Sequence, residues 1–168
     1  MAMNIETSNF RTEAKASDVQ DIKDILESSG FFYSFEIDVA IELIEDRLEK
    51  GEKSDYSFLF YEKDGKLVAY TCFSLIPCTI SSFDIYWIAV HNDYRGHGLG
   101  KSIMAKTEEI IQKMGGKKMY IETSGREQYK PTRLFYEACG YKPEATLKDF
   151  YDLGDDKIIE VKDVMVVS

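Results

Sequence analysis

Apolar positions along this chain change period several times, and each change marks an element. Val19, Ile22, Ile25 and Leu26 recur at helical spacing behind Ser17-Asp18-Val19-Gln20, which has the form of a capping box, and Gly30 closes the segment. Val39, Ile41, Leu43, Ile44 and Leu48 define a second helix from about Glu36 to Lys50, stopped at Gly51. The period then falls to two. Tyr56–Glu62 alternates, Lys63-Asp64-Gly65-Lys66 carries an Asp-Gly hairpin signal, and Leu67–Leu75 is the returning strand. After a loop at Ile76-Pro77-Cys78-Thr79, Phe83–Val90 is β-branched and aromatic throughout and reads as a buried strand. Leu99, Ile103, Ile110 and Met114 restore the helical stripe from about Gly98 to Met114, and Gly115-Gly116 ends it. Lys117–Thr123, with Met119 and Ile121 apolar, is the following strand. Pro131–Cys139 is a short helix ended by Gly140, and Tyr141 opens the next strand. Lys157–Val167 alternates as the last strand through Ile158, Val161, Val164 and Val166. Ile5–Ala14 is expected to form a first strand and turn.

The element order is therefore β-α-α-β-β-β-α-β-α-β-β. Three consecutive strands with short links are expected to form an antiparallel meander. The strand–helix–strand unit that follows should be a parallel crossover. No repeat, low-complexity tract or linker interrupts the pattern, so residues 1–168 are expected to be a single domain of mixed α/β class.

Charge narrows the partners. Thirty Asp and Glu against 21 Lys and Arg leave a net charge of −9. That argues against nucleic acid and anionic membranes and is compatible with a cationic substrate such as an amine. Cys72, Cys78 and Cys139 are odd in number and lack metal-ligand spacing, which suits free thiols in a reducing interior and no bound metal. The first eleven residues do not read as a signal peptide, and no apolar run approaches the ~18 residues of a membrane span, so a cytoplasmic location is expected.

The candidate chemistry starts between the Phe83–Val90 strand and the helix after it. A glycine-rich turn at a helix N-terminus presents unpaired backbone N–H groups and the positive end of the helix dipole, a site for an anionic group such as phosphate. Gly100-Lys101-Ser102 resembles the end of a P-loop, but the required first glycine position is Arg95. A dinucleotide fingerprint fails as well, because its third glycine would fall on Lys101 or Ile103. The pattern Arg/Gln-x-x-Gly-x-Gly/Ala is satisfied in full by Arg95-Gly96-His97-Gly98-Leu99-Gly100.

On these residues, with the strand before and the amphipathic helix after, the chain resembles the GNAT superfamily of acyl-CoA-dependent N-acyltransferases. A second motif supports the resemblance: Leu134-Phe135-Tyr136-Glu137-Ala138-Cys139-Gly140-Tyr141, a helical Tyr-Glu run followed by Gly and an aromatic. The likeness is strongest from Phe83 to Tyr141. Residues 1–50 and 145–168 match in element order. The fold it implies is α/β (α+β): a mixed, mostly antiparallel sheet flanked by helices, with a splayed central strand pair formed by Ile85–Val90 and Lys118–Thr123.

The resemblance implies acetyl-CoA as co-substrate and an N-acetyltransferase acting on a primary amine by direct attack in a ternary complex. Backbone groups of Ile88, Ala89 and Val90 would face the pantetheine arm and thioester, where an N–H can stabilise an oxyanion. Backbone N–H groups from Arg95 through Gly96, His97, Gly98, Leu99 and Gly100, with Lys101 and Ser102, would hold the pyrophosphate. The Arg95 and Lys101 side chains either pair with phosphate or point to solvent. Tyr136 would be the general acid for the departing thiolate, since a phenol is a donor at neutral pH. Many members carry Asn seven residues before this Tyr; here that position is Tyr129, and Ser124 or Thr123 could supply the missing hydrogen bond.

An amine of pKa ~10.4 must lose a proton before it attacks. Asp84, six residues before Val90, is the candidate base, and Tyr86 on the same strand face is a second catalytic candidate or a pocket wall. His91 and His97 are expected at the surface, and Cys139 at a packing position. The dense run Phe31-Phe32-Tyr33-Ser34-Phe35 either walls an acceptor pocket or hinges two helices onto the sheet. The rival reading is a binding module that holds acyl-CoA without turnover; a further one is a transferase using another acyl donor. The acceptor, a small-molecule or peptide amine, is set by loops 28–38, 76–82 and 123–132. A homodimer is compatible with the valine-rich final strand, which either pairs with a second subunit or is covered within one chain.

Overall fold

A computed structural model describes residues 3–164. The regular elements are β1 (Phe10–Arg11), α1 (Asp18–Ser29), α2 (Ser34–Lys50), β2 (Ser57–Lys63), β3 (Lys66–Leu75), β4 (Ser82–Val90), α3 (Leu99–Lys113), β5 (Lys118–Ser124), α4 (Lys130–Ala138), β6 (Lys142–Asp152) and β7 (Asp155–Asp163). This is the expected order, with most ends displaced by a residue or two and the first and last strands shorter than expected. The chain forms two compact units, one of the segment up to Ser74 with Trp87–Thr107, the other of Leu75–Tyr86 with the segment from Glu108 onward.

In the first unit β1, β2 and β3 are neighbours, and both pairs are antiparallel. Asp64 and Gly65 join β2 to β3 with φ of 52° and 76°, as a tight hairpin requires. Phe58, Phe60, Tyr70 and Cys72 point from these strands toward Ile22, Ile25 and Leu26 of α1 and Ile37, Ala40 and Ile44 of α2. Trp87 and Ala89 pack on that same cluster. On β3 the alternate residue Thr71 is hydrogen-bonded to Thr107 of α3 at 2.8 Å.

Two local expectations change here. The first strand is only two residues long, preceded by a 3-10 turn at Thr7–Asn9. Ser17 makes no side-chain cap for α1. Asp18 works instead: its buried carboxylate accepts from the Lys15 N–H at 2.8 Å and from two Arg11 nitrogens at 2.9 and 2.5 Å. Arg11 also donates to Glu62 on β2 at 2.8 Å, so a charged network ties β1 and β2 to the start of α1.

In the second unit the strand order is β4-β5-β7-β6. β4 and β5 are parallel, from Ser82↔Lys118 to Ile85↔Ile121, which is the expected crossover geometry. The register stops there, while β5 continues beside β7 to Ser124. β7 is antiparallel to both neighbours. It is therefore flanked on both sides within one chain, and residues 155–163 offer no edge to a second subunit; Val166 and Val167 of the expected strand lie outside the described residues. Phe83, Ile85, Met119 and Ile121 are buried on one face. Gly116 admits a close approach there: a Cβ would overlap the Ile111 side chain and lie 2.9 Å from the Phe83 ring.

Candidate active site

The first candidate feature is the turn between β4 and α3. A 3-10 turn at Asn92–Tyr94 leads from the strand, and the His91 N–H donates to the Val68 carbonyl at 2.8 Å. Gly96 and Gly98 have φ of 79° and 83°, the left-handed region where a side chain is strained, and a Cβ on either would meet nothing within 4 Å. The turn is thus open above its glycines. The first bond into the helix is Ser102 N–H to the Gly98 carbonyl at 3.2 Å. The N–H groups of Leu99, Gly100 and Lys101 precede it, at the positive end of a fifteen-residue helix. Buried Leu99 anchors the helix start, while Gly98 and Lys101 are exposed. These are the residues a pyrophosphate would need, and they fit one.

Side chains around the turn are partly committed. The Arg95 Nε donates to the Val90 carbonyl at 3.4 Å, which bends that side chain back onto the end of β4. His91 Nδ1 accepts from the Asp93 N–H at 3.2 Å, and His91 and His97 are half-buried rather than exposed. Trp87 and Ala89 face the α1–α2 core, so Ile88 and Val90 alternate to the opposite side of the strand. In the run 31–35, Phe32 packs edge-on against Trp87 with centroids 5.3 Å apart. Phe31, Tyr33 and Phe35 are exposed at 42, 57 and 64%. The packing reading of that run holds for Phe32.

The second unit carries the titratable candidates. Tyr136, on α4, is buried. Burial, with help from Glu160 and then Cys139, pushes its hydroxyl well above the ordinary phenol range, so it keeps its proton at neutral pH. Asp84 is half-buried on the face of β4 opposite Phe83. Burial and the nearby Glu122 carboxylate push it up to about 6, with Lys157 acting in the other direction. Tyr86 is exposed on the same strand. Glu122 and Lys157 were not legible as site neighbours. They meet only through the β5–β7 register, with Lys157 Nζ 2.8 Å from Glu122 and 3.7 Å above the Phe150 ring. Ser124 is buried, and its hydroxyl donates to Asp155 at 2.5 Å while accepting from the Arg126 N–H at 3.1 Å. Its hydrogen is committed to Asp155 at the start of β7, which leaves it an acceptor.

Residues 19–141 match the acetyltransferase (GNAT) family. The chain is 27% identical over 103 residues to a Bacillus subtilis (strain 168) protein assigned as a ribosomal protein bS18-alanine N-acetyltransferase, covering 61% of this chain. It spans 65% of the length of that curated relative. A crystal structure assigned to the GNAT acetyltransferases, from Desulfovibrio desulfuricans, superposes with a TM-score of 0.91 at 39% identity, over 93% of this chain and 98% of the other. The PaiA N-acetyltransferase of Thermoplasma acidophilum, crystallised with coenzyme A, shares the fold at a TM-score of 0.71 and 20% identity, over 96% of this chain and 99% of its own. The mixed, mostly antiparallel sheet flanked by helices is a GNAT fold. The chain belongs to the GNAT acetyltransferase family.

Proposed function

We propose that the protein is an N-acetyltransferase that moves the acetyl group of acetyl-CoA to a primary amine by direct attack in a ternary complex, the whole chain serving as one acyltransferase domain. The observation that carries this reading is the open turn at Gly96 and Gly98, whose amides precede the first bond of α3. Family membership and the coenzyme A in the Thermoplasma relative support it. Acetyl-CoA supplies an activated acetyl thioester with a pyrophosphate handle. Amides from Gly96 to Lys101 and the exposed Lys101 ammonium hold the handle. Backbone groups of Ile88–Val90 stabilise negative charge on the thioester oxygen. Asp84, with its raised proton affinity, accepts the amine proton, and Tyr136 returns one to the departing thiolate.

The acceptor class is a small-molecule or peptide amine, in line with the alanine acceptor named for the Bacillus relative. Among the described residues no helix is long and apolar enough to cross a membrane. The three free cysteines suit a reducing interior and support action in the cytoplasm.

Calorimetric titration with acetyl-CoA tests the reading. The wild-type chain should bind at micromolar level. In Gly98→Glu a carboxylate ~4 Å from a phosphate charge costs about 4 kcal/mol at an effective dielectric of ~20, roughly a thousandfold in Kd. Absence of binding by the folded wild-type chain overturns the proposal. Once an acceptor amine is in hand, Tyr136→Phe should lower kcat about a hundredfold with KM for acetyl-CoA unchanged.

A further inference from the structure

We infer that Lys162 is a positioning residue for Tyr136: together with Glu108 it clamps the C-terminal turn of α4 and so fixes where the Tyr136 hydroxyl stands. The inference rests on the reading of Tyr136 as the general acid.

The end of α4 is built around Tyr136. The helix closes on Cys139, and Gly140 follows with φ of 94°. The Gly140 N–H donates to the Glu137 carbonyl at 2.9 Å, and the Tyr141 N–H to the Tyr136 carbonyl at 3.0 Å. These two bonds form a Schellman motif, in which the residues at the positions of Tyr136 and Tyr141 also meet through their side chains. Their rings do so here, edge-on with centroids 6.3 Å apart. Tyr141 is itself buried, and its hydroxyl donates to Met119 Sδ on β5 at 3.5 Å. Tyr136 is thus held through its own carbonyl and by the ring beside it.

The Lys162 ammonium reaches both supports. Lys162 lies on β7, opposite Met119 in the β5–β7 register. Its Nζ donates to the Cys139 carbonyl at 2.8 Å and lies 5.7 Å from the Tyr141 ring centroid. The last carbonyls of a helix have no partner within it and form the negative end of its dipole, so a cation is favoured there. The lysine stem passes over Gly140, where a Cβ would lie 3.3 Å from Lys162 Cε. The ammonium is held from the other side by Glu108 of α3, at 2.5 and 3.1 Å from the two carboxylate oxygens. Glu108 is buried, so water screens this pair poorly. The contacts run from α3 through β7 to the end of α4, all inside the second unit.

A general acid works only within hydrogen-bond reach of the atom it protonates. A displacement of about 1 Å costs up to a hundredfold in rate. A clamp on the last turn of α4 therefore acts on the chemical step and leaves the binding of acetyl-CoA alone.

The test compares Lys162→Met, Tyr136→Phe and the double variant by release of coenzyme A thiol from acetyl-CoA, with a peptide beginning in alanine as the acceptor amine. Lys162→Met keeps the apolar stem and removes the donor and its charge. Its kcat should fall about tenfold with KM for acetyl-CoA unchanged, and in the Tyr136→Phe background it should cause no further loss. A merely structural role would lower kcat alike in both backgrounds. An unchanged kcat in Lys162→Met, or losses that multiply, overturns the inference and leaves Tyr136 as the acid. An unchanged kcat in Tyr136→Phe overturns both. Glu108→Gln leaves Lys162 in place without its counter-charge; it should show the same pattern at smaller size, and it decides the matter if Lys162→Met does not fold. Amide hydrogen exchange needs no acceptor. In either variant the Gly140 and Tyr141 N–H groups should exchange about tenfold faster than in the wild-type chain while those of α1 keep their rates, and unchanged rates at Gly140 and Tyr141 overturn the inference.

Discussion

Asp84→Asn should make the protein more stable at neutral pH and less active. In the folded chain burial and Glu122 raise the Asp84 carboxyl from an ordinary 3.8 to about 6. The folded state therefore holds its proton over a range where the unfolded state has released it. Stability falls as pH rises from about 4 to about 6, and the full penalty is present above that window. At ~1.4 kcal/mol for each pH unit of separation, the upper bound is about 3 kcal/mol. The side chain is only half-buried, and solvent screening reduces this to about 1–1.5 kcal/mol. For a chain of this size that is a rise in Tm of about 3–5 °C. Thermal unfolding of both proteins at pH 4 and pH 7.5 measures it. The gain should be present at pH 7.5 and nearly absent at pH 4, where wild-type Asp84 is already neutral in the folded state. Equal gains at both pH values, or none at 7.5, would refute the argument that Asp84 is held as a strained charge. In activity the wild type should show an acid limb in kcat/KM with an apparent pKa near 6, absent from the slow Asn variant.

Two further outcomes follow from buried polar groups in the first unit. Asp18→Ala removes the acceptor that Arg11 and the Lys15 N–H share, and should lower the unfolding free energy by about 3–5 kcal/mol in urea titration. Tyr70→Phe should leave stability unchanged or raise it by about 1 kcal/mol, because the Tyr70 hydroxyl is fully buried with no hydrogen-bond partner among the described residues. A loss of stability on removing that hydroxyl would show that it is satisfied in solution.

Sequence alone determined the parts of this protein whose signals are local. The order of eleven elements follows from apolar period and from the glycines that stop each segment, which act within a few residues. The glycine turn before α3 follows in the same way, because left-handed backbone at positions 96 and 98 favours glycine whatever surrounds it. The contacts between distant segments were decided by tertiary structure. The first strand is only Phe10–Arg11, and there the Arg11 side chain bonds Asp18 and Glu62 from distant parts of the chain. Glu122 meets Lys157 only because β5 and β7 pair in one register, and a slip of one residue would put them on opposite faces. Glu160 reads in the sequence as one more acidic residue in an alternating strand. Its full burial follows from what packs over that face of β7, since the medium around a carboxyl group is set by its tertiary neighbours.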